Sequence, residues 1–562
     1  MNKKYAHYID DLAEVFRACC ERHAAWFISG FSVVYLLITC RIASRKMLWN
    51  DELFTLYIAR LADLSDLTAA LSTGADQQPP SFYLLTRVIL QLLGETQMAV
   101  RLPEVLGLWL MCLCLFRFVS KRLPVLYGFA AMGFPLVTIA YEYSYEARPY
   151  GLVLGFSSLA LLCWQEAGES PGRRWWLIGL AVSGAAAVSS HYYAIFLVVP
   201  LGIGEIVRSF TRRRIDIPVW IALGSAMFPL ALFLPFLQQA RAYSSHFWAP
   251  PKWSMVPGFY YYLLFPAIGP IVATLVAASL WPAGESPRHS STYASGQPPC
   301  HEVAAALGFV AIPAIALIMA KLVTGAFTYR YALSAVIGVS ILCAIAVFRL
   351  NGGRAIMGGC FTLFIYVWFI VTAVTQLKQH TVTATQWSKT YAFMRLENDP
   401  ALPIVVADLH SFMALVHYAP RDLSTRLVYL ADPQASVRYL CNDTIDRGIL
   451  DLKPWFHVPV EEYGPYIASH ERFLLYARVQ GERHWLGFFW GEPWEWNWLL
   501  NDLHNFPVRV ELRDRSDDNI LFLVTSDTQK RSARLGIDGA STKLGGRLEH
   551  TTPTVTHDPC QP

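Results

Sequence analysis

Long apolar segments separated by short polar connections dominate this chain. A transmembrane helix needs about 20 consecutive apolar residues, and the spacing here predicts roughly eleven such spans. Charged residues supply 16% of the chain, against about 25% in soluble proteins, as expected when lipid covers much of the surface. We therefore predict a mainly α-helical, polytopic membrane protein with spans at 24–42, 100–119, 125–141, 150–164, 175–190, 194–207, 219–237, 256–281, 303–322, 331–348 and 355–374, and with the shorter apolar segment 80–93 at the membrane interface.

The basic residues indicate the orientation of these spans. Lys and Arg accumulate on cytoplasmic connections of membrane proteins, and in this chain they occupy alternate connections. We therefore predict a multi-pass protein of the cell inner (plasma) membrane, with a cytoplasmic N-terminus and an extracytoplasmic region after Val374. The basic connections contain Lys121, Arg122, Arg173, Arg174, Arg208, Arg212, Arg213, Arg214, Arg349 and Arg354, and the N-terminal segment contains Lys3, Lys4, Arg17 and Arg22.

Composition divides the chain into three regions. Residues 1–376 form the predicted transmembrane domain, in which 43–99 is the largest outer loop. Residues 377–525 have the composition of a soluble domain, and we predict a small extracytoplasmic α/β domain. Residues 526–562 are polar and rich in Gly, Ser and Thr, which predicts a disordered tail. Within the soluble domain we predict a helix at 412–418 and strands at 403–408, 426–430, 473–478, 508–512 and 520–525.

Composition also excludes some classes of function. The formal net charge of +4 is too small to suggest a nucleic-acid partner, since the basic residues lie beside apolar spans. The 11 cysteines form no Cys-x-x-Cys pair, so the sequence predicts neither a zinc ribbon nor a redox motif.

The pair Asp51-Glu52 follows the first span on the predicted outer face. Two adjacent carboxylates at a membrane face are costly to desolvate. One interpretation is a helix cap, in which Asn50 or Asp51 begins a helix over 52–71. The other is a general base that deprotonates an acceptor hydroxyl, and both can hold together.

Further polar groups occur at the ends of other spans on the same face. Gln78 precedes a double proline, which by itself is a common way to begin a helix. Arg148 is either a residue reaching the lipid headgroups or a ligand for a phosphate, and Glu146 is suited to orient it or to bind a metal. His191-Tyr192 and Arg330-Tyr331 are either interfacial anchors or substrate contacts.

Each of these signals is weak alone, but the predicted topology brings all of them to one face. The order of the motifs resembles that of the GT-C membrane glycosyltransferases, in particular the bacterial protein O-mannosyltransferase and aminoarabinose (lipid A) transferase group. The resemblance covers roughly residues 24–374. Its motifs are Asp51-Glu52, Gln78-Pro-Pro-x-x-Tyr83, Arg101-Leu-Pro, Glu146-Ala-Arg-Pro-Tyr, His191-Tyr-Tyr and Arg330-Tyr.

The resemblance implies inverting transfer of a sugar from a polyprenyl-phosphate donor to an extracytoplasmic protein, lipid or glycan. It implies that Asp51 is the catalytic base with Glu52 as its acidic neighbour, and that Arg148 and Arg330 bind the donor phosphate. Relatives often have His where this chain has Gln78, so we predict no required metal, although a divalent ion is chemically possible. The substrate-binding residues expected from the resemblance are Gln78, Glu146, His191, Tyr192 and Tyr331.

Other functions compete with this interpretation. A transporter or flippase of a lipid-linked substrate predicts charges near mid-membrane and broken helices in matching halves. An assembly protein without catalytic activity leaves Asp51-Glu52 and the two arginines unexplained, and a glycan ligase or polymerase is a chemically close variant. Five tryptophans of the outer domain suit either sugar stacking or packing of this domain on the membrane surface or on its own core: Trp485, Trp490, Trp494, Trp496 and Trp498.

Overall fold

The computed structural model describes residues 3–170, 172–280, 298–350, 352–395, 399, 401–478, 482–483, 489–490, 498–516 and 518–527. The described residues between Lys3 and Met394 are mainly helical, and those between Ile404 and Ser526 form a mixed α/β region. From residue 528 on, the predicted disordered tail lies outside the described residues.

Each of the eleven predicted spans overlaps helical structure. The α-helices are α1 Lys3–Arg22, α2 Ala24–Arg45, α3 Asn50–Ala59, α4 Leu64–Ser72, α5 Pro80–Leu93, α6 Gln97–Ser120, α7 Val125–Gly133, α8 Tyr150–Ala167, α9 Arg173–Ser190, α10 Val198–Arg212, α11 Ile217–Gly224, α12 Phe228–Leu232, α13 Leu234–Arg241, α14 Met255–Leu264, α15 Ile268–Leu280, α16 Cys300–Val310, α17 Ile312–Met319, α18 Ala335–Leu350 and α19 Ala355–Met394. Short 3₁₀ turns lie at Phe134–Val137, Ile139–Tyr145, Tyr192–Leu197, Ser225–Met227, Ser244–His246, Phe265–Ala267 and Tyr329–Ala332, and a π turn lies at Ala320–Thr324.

By length and apolar character, 5 helices of the described residues qualify as membrane spans, or up to 8 when three bent pairs count as one span each. The protein is therefore embedded in the membrane. The three other predicted spans are the helices α8, α9 and α18, which have 18, 18 and 16 residues. The count of eleven thus stays a prediction, although a helix exists at every predicted place.

The bent spans differ from the continuous helices that the sequence suggested. Helical segments meet at 72° after Val137, at 63° after Leu232 and at 49° after Val310. A proline lies within or next to each bend, namely Pro135, Pro235 and Pro313. Because proline lacks an N–H and its ring clashes with the preceding turn, it breaks the helical hydrogen-bond series at these points.

Two long helices approach each other closely through glycine. A Cβ on Gly107 of α6 would lie 2.4 Å from the carbonyl of Gly151 in α8, and one on Gly155 would lie 2.4 Å from the carbonyl oxygen of Gly107. Only glycine fits these positions. The contact brings the start of α6 beside the connection 146–149 that precedes α8.

The C-terminal region is the predicted α/β domain. Its main sheet has the order β3-β2-β1-β4-β8-β7, in which the first four strands are parallel to one another. Strand β8 is antiparallel to both of its neighbours, β4 and β7. All five predicted strands belong to this sheet, whereas β3 is too short to have been recognised by alternation. The strands are β1 Ile404–Val406, β2 Leu427–Ala431, β3 Val460–Glu462, β4 Arg472–Arg478, β5 Glu482–Arg483, β6 Phe489–Trp490, β7 Val508–Ser516 and β8 Asn519–Ser526, and the helices are α20 Leu409–Tyr418, α21 Arg421–Ser424, α22 Pro433–Leu440, α23 Thr444–Phe456, α24 Tyr463–Ser469 and α25 Trp498–Asp502.

The outer loop and the α/β domain share one apolar core. Phe82 and Leu56 of the loop belong to the same buried cluster as Phe412 and Ile449 of the domain. A transmembrane helix also enters this cluster, since Met394 at the end of α19 is fully buried in it. The domain is therefore fixed over the outer loop rather than tethered beside it.

One of the five tryptophans is described in full. Trp498 is buried in the core of the α/β domain, with its ring centre 5.0 Å from that of Tyr463. This position favours the core interpretation for Trp498. Trp485, Trp494, Trp496 and the side chain of Trp490 lie outside the described residues.

Candidate functional site

Glu52 lies at the start of helix α3 and is fully buried. Its carboxylate accepts two hydrogen bonds from the guanidinium of Arg101, both 2.6 Å long. It also accepts the backbone N–H of Ala147 at 2.7 Å and that of Trp49 at 3.2 Å. Burial acts to raise the pKa of Glu52, but Arg101 and Lys46 outweigh it and hold that pKa below its usual value. Glu52 thus joins the outer loop, the start of α6 and the connection before α8.

The predicted cap at this helix start is partly wrong. The cap residue is Trp49, and Glu52 bonds back to its backbone N–H from the third position of the helix. The predicted helix over 52–71 is interrupted, because α3 ends at Ala59 and α4 begins at Leu64.

Asp51 points to a different environment from Glu52, as expected for neighbours on one helical turn. Its side chain is 20% exposed, and its Oδ2 accepts a hydrogen bond from Arg330 at 2.7 Å. The Nε of Arg148 lies 3.9 Å from the same oxygen. Burial acts to raise the pKa of Asp51, but Arg330 and Arg148 outweigh it, so the pKa lies below its usual value. Asp51 is therefore an ionised, accessible carboxylate between two cations.

Arg148 is held by a carboxylate that sequence reasoning missed. Asp76 accepts two hydrogen bonds from the guanidinium of Arg148, at 2.9 and 3.0 Å, and both side chains are almost fully buried. The only hint in the sequence was that Asp76 lies two residues before Gln78, just ahead of the double proline. Most of the binding capacity of Arg148 is therefore used within the protein.

Glu146 pairs with a lysine that the sequence analysis had not singled out. The Nζ of Lys46 lies 3.3 Å from its Oε1, and its Oε2 has no hydrogen-bond partner in the described residues. Burial raises the pKa of Glu146, although Lys46 opposes the shift. Among the described residues, Glu146 thus pairs with Lys46 rather than with Arg148.

His191, Tyr331 and Arg330 meet in an aromatic cluster. The His191 ring lies 5.2 Å from the ring of Tyr331 and 5.4 Å from that of Tyr150. The guanidinium of Arg330 lies 5.9 Å from the Tyr150 ring and 6.0 Å from that of Trp49, within cation–π distance. The structure thus brings three of the predicted residues together next to Asp51.

Gln78 and Tyr192 are both buried. Gln78 precedes α5 and Tyr192 follows His191 in the chain. Within the described residues, neither the Oε1 of Gln78 nor the hydroxyl of Tyr192 has a hydrogen-bond partner. Both remain predicted substrate contacts.

The α/β domain forms one edge of the site. The ring of His410 stacks on Trp49 at 6.2 Å, and the hydroxyl of Tyr418 accepts the backbone N–H of Leu48 at 2.8 Å. His410 is also among the groups that lower the pKa of Asp51. The residues before Asp51 are therefore positioned by α20.

The described residues contain no group of three or more His, Cys, Asp or Glu side chains arranged to hold a metal ion. The expectation that no metal is required stays a prediction.

Comparisons with known proteins add independent information. The family model described as dolichyl-phosphate-mannose-protein mannosyltransferase matches residues 77–238, a segment that contains Gln78, Arg148 and His191. No curated protein matches the chain in a sequence comparison.

The fold is that of a solved membrane protein. The crystal structure of ArnT from Cupriavidus metallidurans bound to undecaprenyl phosphate superposes with a TM-score of 0.51 at 13% identity, covering 89% of this chain and 98% of that one. Its apo state gives 0.45 at 14% identity with the same coverage. The oligosaccharyltransferase of Archaeoglobus fulgidus gives 0.36 at 12% identity, covering 80% of this chain and 67% of that one. The family match and the ArnT superposition confirm the resemblance and the fold class inferred from the sequence.

Proposed function

We propose that this protein is a membrane glycosyltransferase that moves a sugar from a polyprenyl-phosphate donor to a hydroxyl of an extracytoplasmic acceptor. One observation carries the proposal. Asp51 is an accessible carboxylate held between the cations Arg330 and Arg148 at the membrane end of the outer loop. The family match over residues 77–238 supports the same class of reaction.

The chemistry that this geometry supports is a single displacement. Asp51 takes the proton of the acceptor hydroxyl while its oxygen attacks the anomeric carbon. The bond between that carbon and the phosphate oxygen breaks, and polyprenyl phosphate leaves with the electron pair. Attack from the side opposite the leaving group inverts the anomeric centre, and no second carboxylate is needed as a nucleophile.

Charge develops on the phosphate as the sugar leaves. Arg330 is the cation placed to stabilise it, because its partner Asp51 loses negative charge in the same step as it is protonated. Arg148 already donates two hydrogen bonds to Asp76, so its contribution is to hold Asp51 and to add positive potential.

Glu52 acts in this proposal as a positioning residue rather than as a second base. It is fully buried and occupied by Arg101 and two backbone N–H groups. A carboxylate without free lone pairs toward solvent cannot reach an acceptor hydroxyl, but it fixes the backbone from which Asp51 extends.

The orientation follows from the two ends of α6. Arg101 at its start lies beside the site and the α/β domain, whereas Lys121 and Arg122 lie just after its end. The positive-inside rule assigns the second end to the cytoplasm. We therefore place the site and the α/β domain outside and the N-terminus inside, and we propose that the domain presents the acceptor, of which protein, lipid and glycan remain the classes.

The bent spans at Val137, Leu232 and Val310 favour the alternative, a transporter or flippase of a lipid-linked substrate. The charged residues argue against it, because Asp51, Arg148 and Arg330 all lie at helix ends or in connections rather than at mid-helix. Transfer of label to an acceptor distinguishes the two functions.

The test is sugar transfer from radiolabelled polyprenyl-phosphate sugars in membranes, comparing wild type with Asp51→Asn. Loss of a general base predicts a fall of about 10²- to 10⁴-fold. Asp63→Asn is the matched control, because Asp63 is an exposed carboxylate of the same loop that makes no capping hydrogen bond. Equal transfer by Asp51→Asn and wild type refutes the role of Asp51, and movement of intact donor without transfer favours the transporter.

A further inference from the structure

Glu104 is a buried carboxylate near the start of α6 that the proposed reaction does not use. The residue is fully buried, and its Oε2 accepts the backbone N–H of Leu152 at 2.9 Å. Leu152 lies in the first turn of α8, where backbone N–H groups lack acceptors within their own helix. Glu104 therefore caps the start of α8 from the neighbouring helix.

Gly151 allows this cap to form. A Cβ on Gly151 would lie 2.4 Å from the carbonyl oxygen of Glu104 and 2.9 Å from its Oε2. Any larger residue would therefore push the backbones of α6 and α8 apart and displace the Glu104 carboxylate. The close approach of the two helices and the cap thus depend on each other.

The segment that Glu104 caps contains Arg148, just before the start of α8. On the other side of Arg148, Ala147 donates its backbone N–H to Glu52 at 2.7 Å. Arg101, which binds Glu52, lies one turn before Glu104 and on the same face of α6. A single turn of α6 therefore holds the chain on both sides of Arg148.

The contact between Arg148 and Asp51 is long enough to be sensitive to small movements. The Nε of Arg148 lies 3.9 Å from the Oδ2 of Asp51, and its Nη1 lies 3.4 Å from the carbonyl oxygen of the same residue. Attraction between charges falls with distance. Misplacement of a group at a reacting centre by about 1 Å can lower a rate by about 10²-fold. The position of the α8 start thus affects how strongly Arg148 acts on Asp51.

We propose that Glu104 is a positioning residue of the transfer reaction, which sets the distance between Arg148 and Asp51 by capping α8. The inference rests on the proposed function and adds to it a residue that the sequence analysis did not single out. Loss of the cap frees the first turn of α8, so that Arg148 moves away from Asp51. Because Arg148 helps to lower the pKa of Asp51, that pKa then rises.

Transfer kinetics of variants of the full-length protein test this role. Glu104→Ala should lower kcat by about 10²-fold. Glu104→Gln should retain most of the activity, because its amide oxygen still accepts the N–H of Leu152. Gly151→Ala should reproduce the loss, because its Cβ displaces the same cap. The acidic limb of kcat/KM should move to higher pH in Glu104→Ala and Gly151→Ala, but not in Glu104→Gln.

Gly308→Ala is the matched control for general damage to helix packing. A Cβ on Gly308 would lie 2.7 Å from the Cα of Pro200, so this variant strains the contact between α10 and α16 instead. It should lower the unfolding temperature without moving the acidic limb. If Glu104→Ala does not fold, Glu104→Asp takes its place, since it keeps the carboxylate but shortens its reach. An unmoved limb in the cap variants, or the same movement in Gly308→Ala, would overturn the inference.

Amide hydrogen exchange separates this inference from the proposed function. Peptides covering residues 147–152 should exchange faster in Glu104→Ala than in wild type or Gly308→Ala, because the N–H of Leu152 loses its acceptor. Wild-type protein that transfers no sugar refutes the proposed function, whereas faster exchange in Glu104→Ala still supports the hold of Glu104 on this segment. Equal exchange in Glu104→Ala and wild type overturns the inference whether or not sugar is transferred.

Discussion

Charged residues form clusters at both ends of α6, and the two clusters are paired in different ways. At the end of α6, Arg122 binds Glu302 through its Nε at 3.0 and 3.1 Å and its Nη2 at 2.6 Å, and it also binds Glu169. Lys121 lies 2.8 Å from Glu166 and 3.3 Å from Glu169. This inner cluster joins the connections after α6 and α8 to α16, and its cations are shared among several carboxylates.

The outer cluster consists of Asp51, Asp76, Arg148 and Arg330. It also combines carboxylates with cations, but one of its carboxylates is partly exposed and one of its cations adjoins a cavity with unpartnered donors in the described residues. The comparison shows why charge alone does not identify a site. A cluster whose charges are all paired with one another holds helices together. In a cluster with a partly exposed member, a ligand can compete for one of the ion pairs.

The largest effect should come from Glu52→Gln, set against Glu302→Gln in the inner cluster. Removing one partner of the fully buried pair Glu52–Arg101 costs about 3 to 5 kcal/mol, because it leaves the charge of Arg101 uncompensated. Glu52→Gln should therefore lower the unfolding temperature in detergent, and Glu302→Gln should lower it by less, because Arg122 keeps its ion pair with Glu169. Only Glu52→Gln should also reduce transfer per folded molecule, because Glu52 fixes the backbone of Asp51. Equal loss of specific activity in the two variants would show that the two clusters do not differ in their effect on transfer.

The next effect concerns the competition for Arg330. If Asp51 and the donor phosphate share this cation, Asp51→Asn should bind farnesyl phosphate more tightly than wild type, by about 5- to 150-fold, the usual range of coupling between two ligands of one group. The same variant should be inactive in transfer. Calorimetric binding measures the change, and weaker binding by Asp51→Asn would contradict the shared cation.

The pH dependence of transfer should reveal the same competition on a smaller scale. The pKa of Asp51 in the free protein lies below its usual value because Arg330 and Arg148 favour the ionised form over the effect of burial. Activity needs this carboxylate ionised, so it should be lost only as the pH falls through that lowered pKa. Since donor binding removes Arg330, the acidic limb of kcat should lie at higher pH than that of kcat/KM. Coincident limbs would show that Arg330 stays on Asp51 throughout.

The smallest effect should come from the contact between the α/β domain and the outer loop. Tyr418→Phe removes the acceptor for the N–H of Leu48 and a 3.1 Å hydrogen bond to Gln97. The expected cost is about 1 kcal/mol of stability with little change in transfer. Thermal unfolding and a transfer assay on one preparation measure both quantities. A large fall in transfer at unchanged stability would instead give this contact a direct part in catalysis.

Local sequence patterns were enough to predict the membrane helices, the α/β domain and the principal charged residues. Apolar length and alternation are local properties, so a helix or strand was found at each predicted place. The different environments of Asp51 and Glu52 also follow from local structure, since neighbours on one helical turn face different directions.

The pairing of those charges, in contrast, depends on the tertiary fold. Arg330 meets Asp51 across 279 positions of the chain, and Arg148 meets Asp76 across 72. No periodicity in the sequence predicts such pairs, because they depend on how closely α6 and α8 approach and on where the α/β domain contacts the outer loop. For the same reason the sequence joined Asp51 and Glu52 in one role, whereas the fold leaves Asp51 accessible and encloses Glu52 with Arg101.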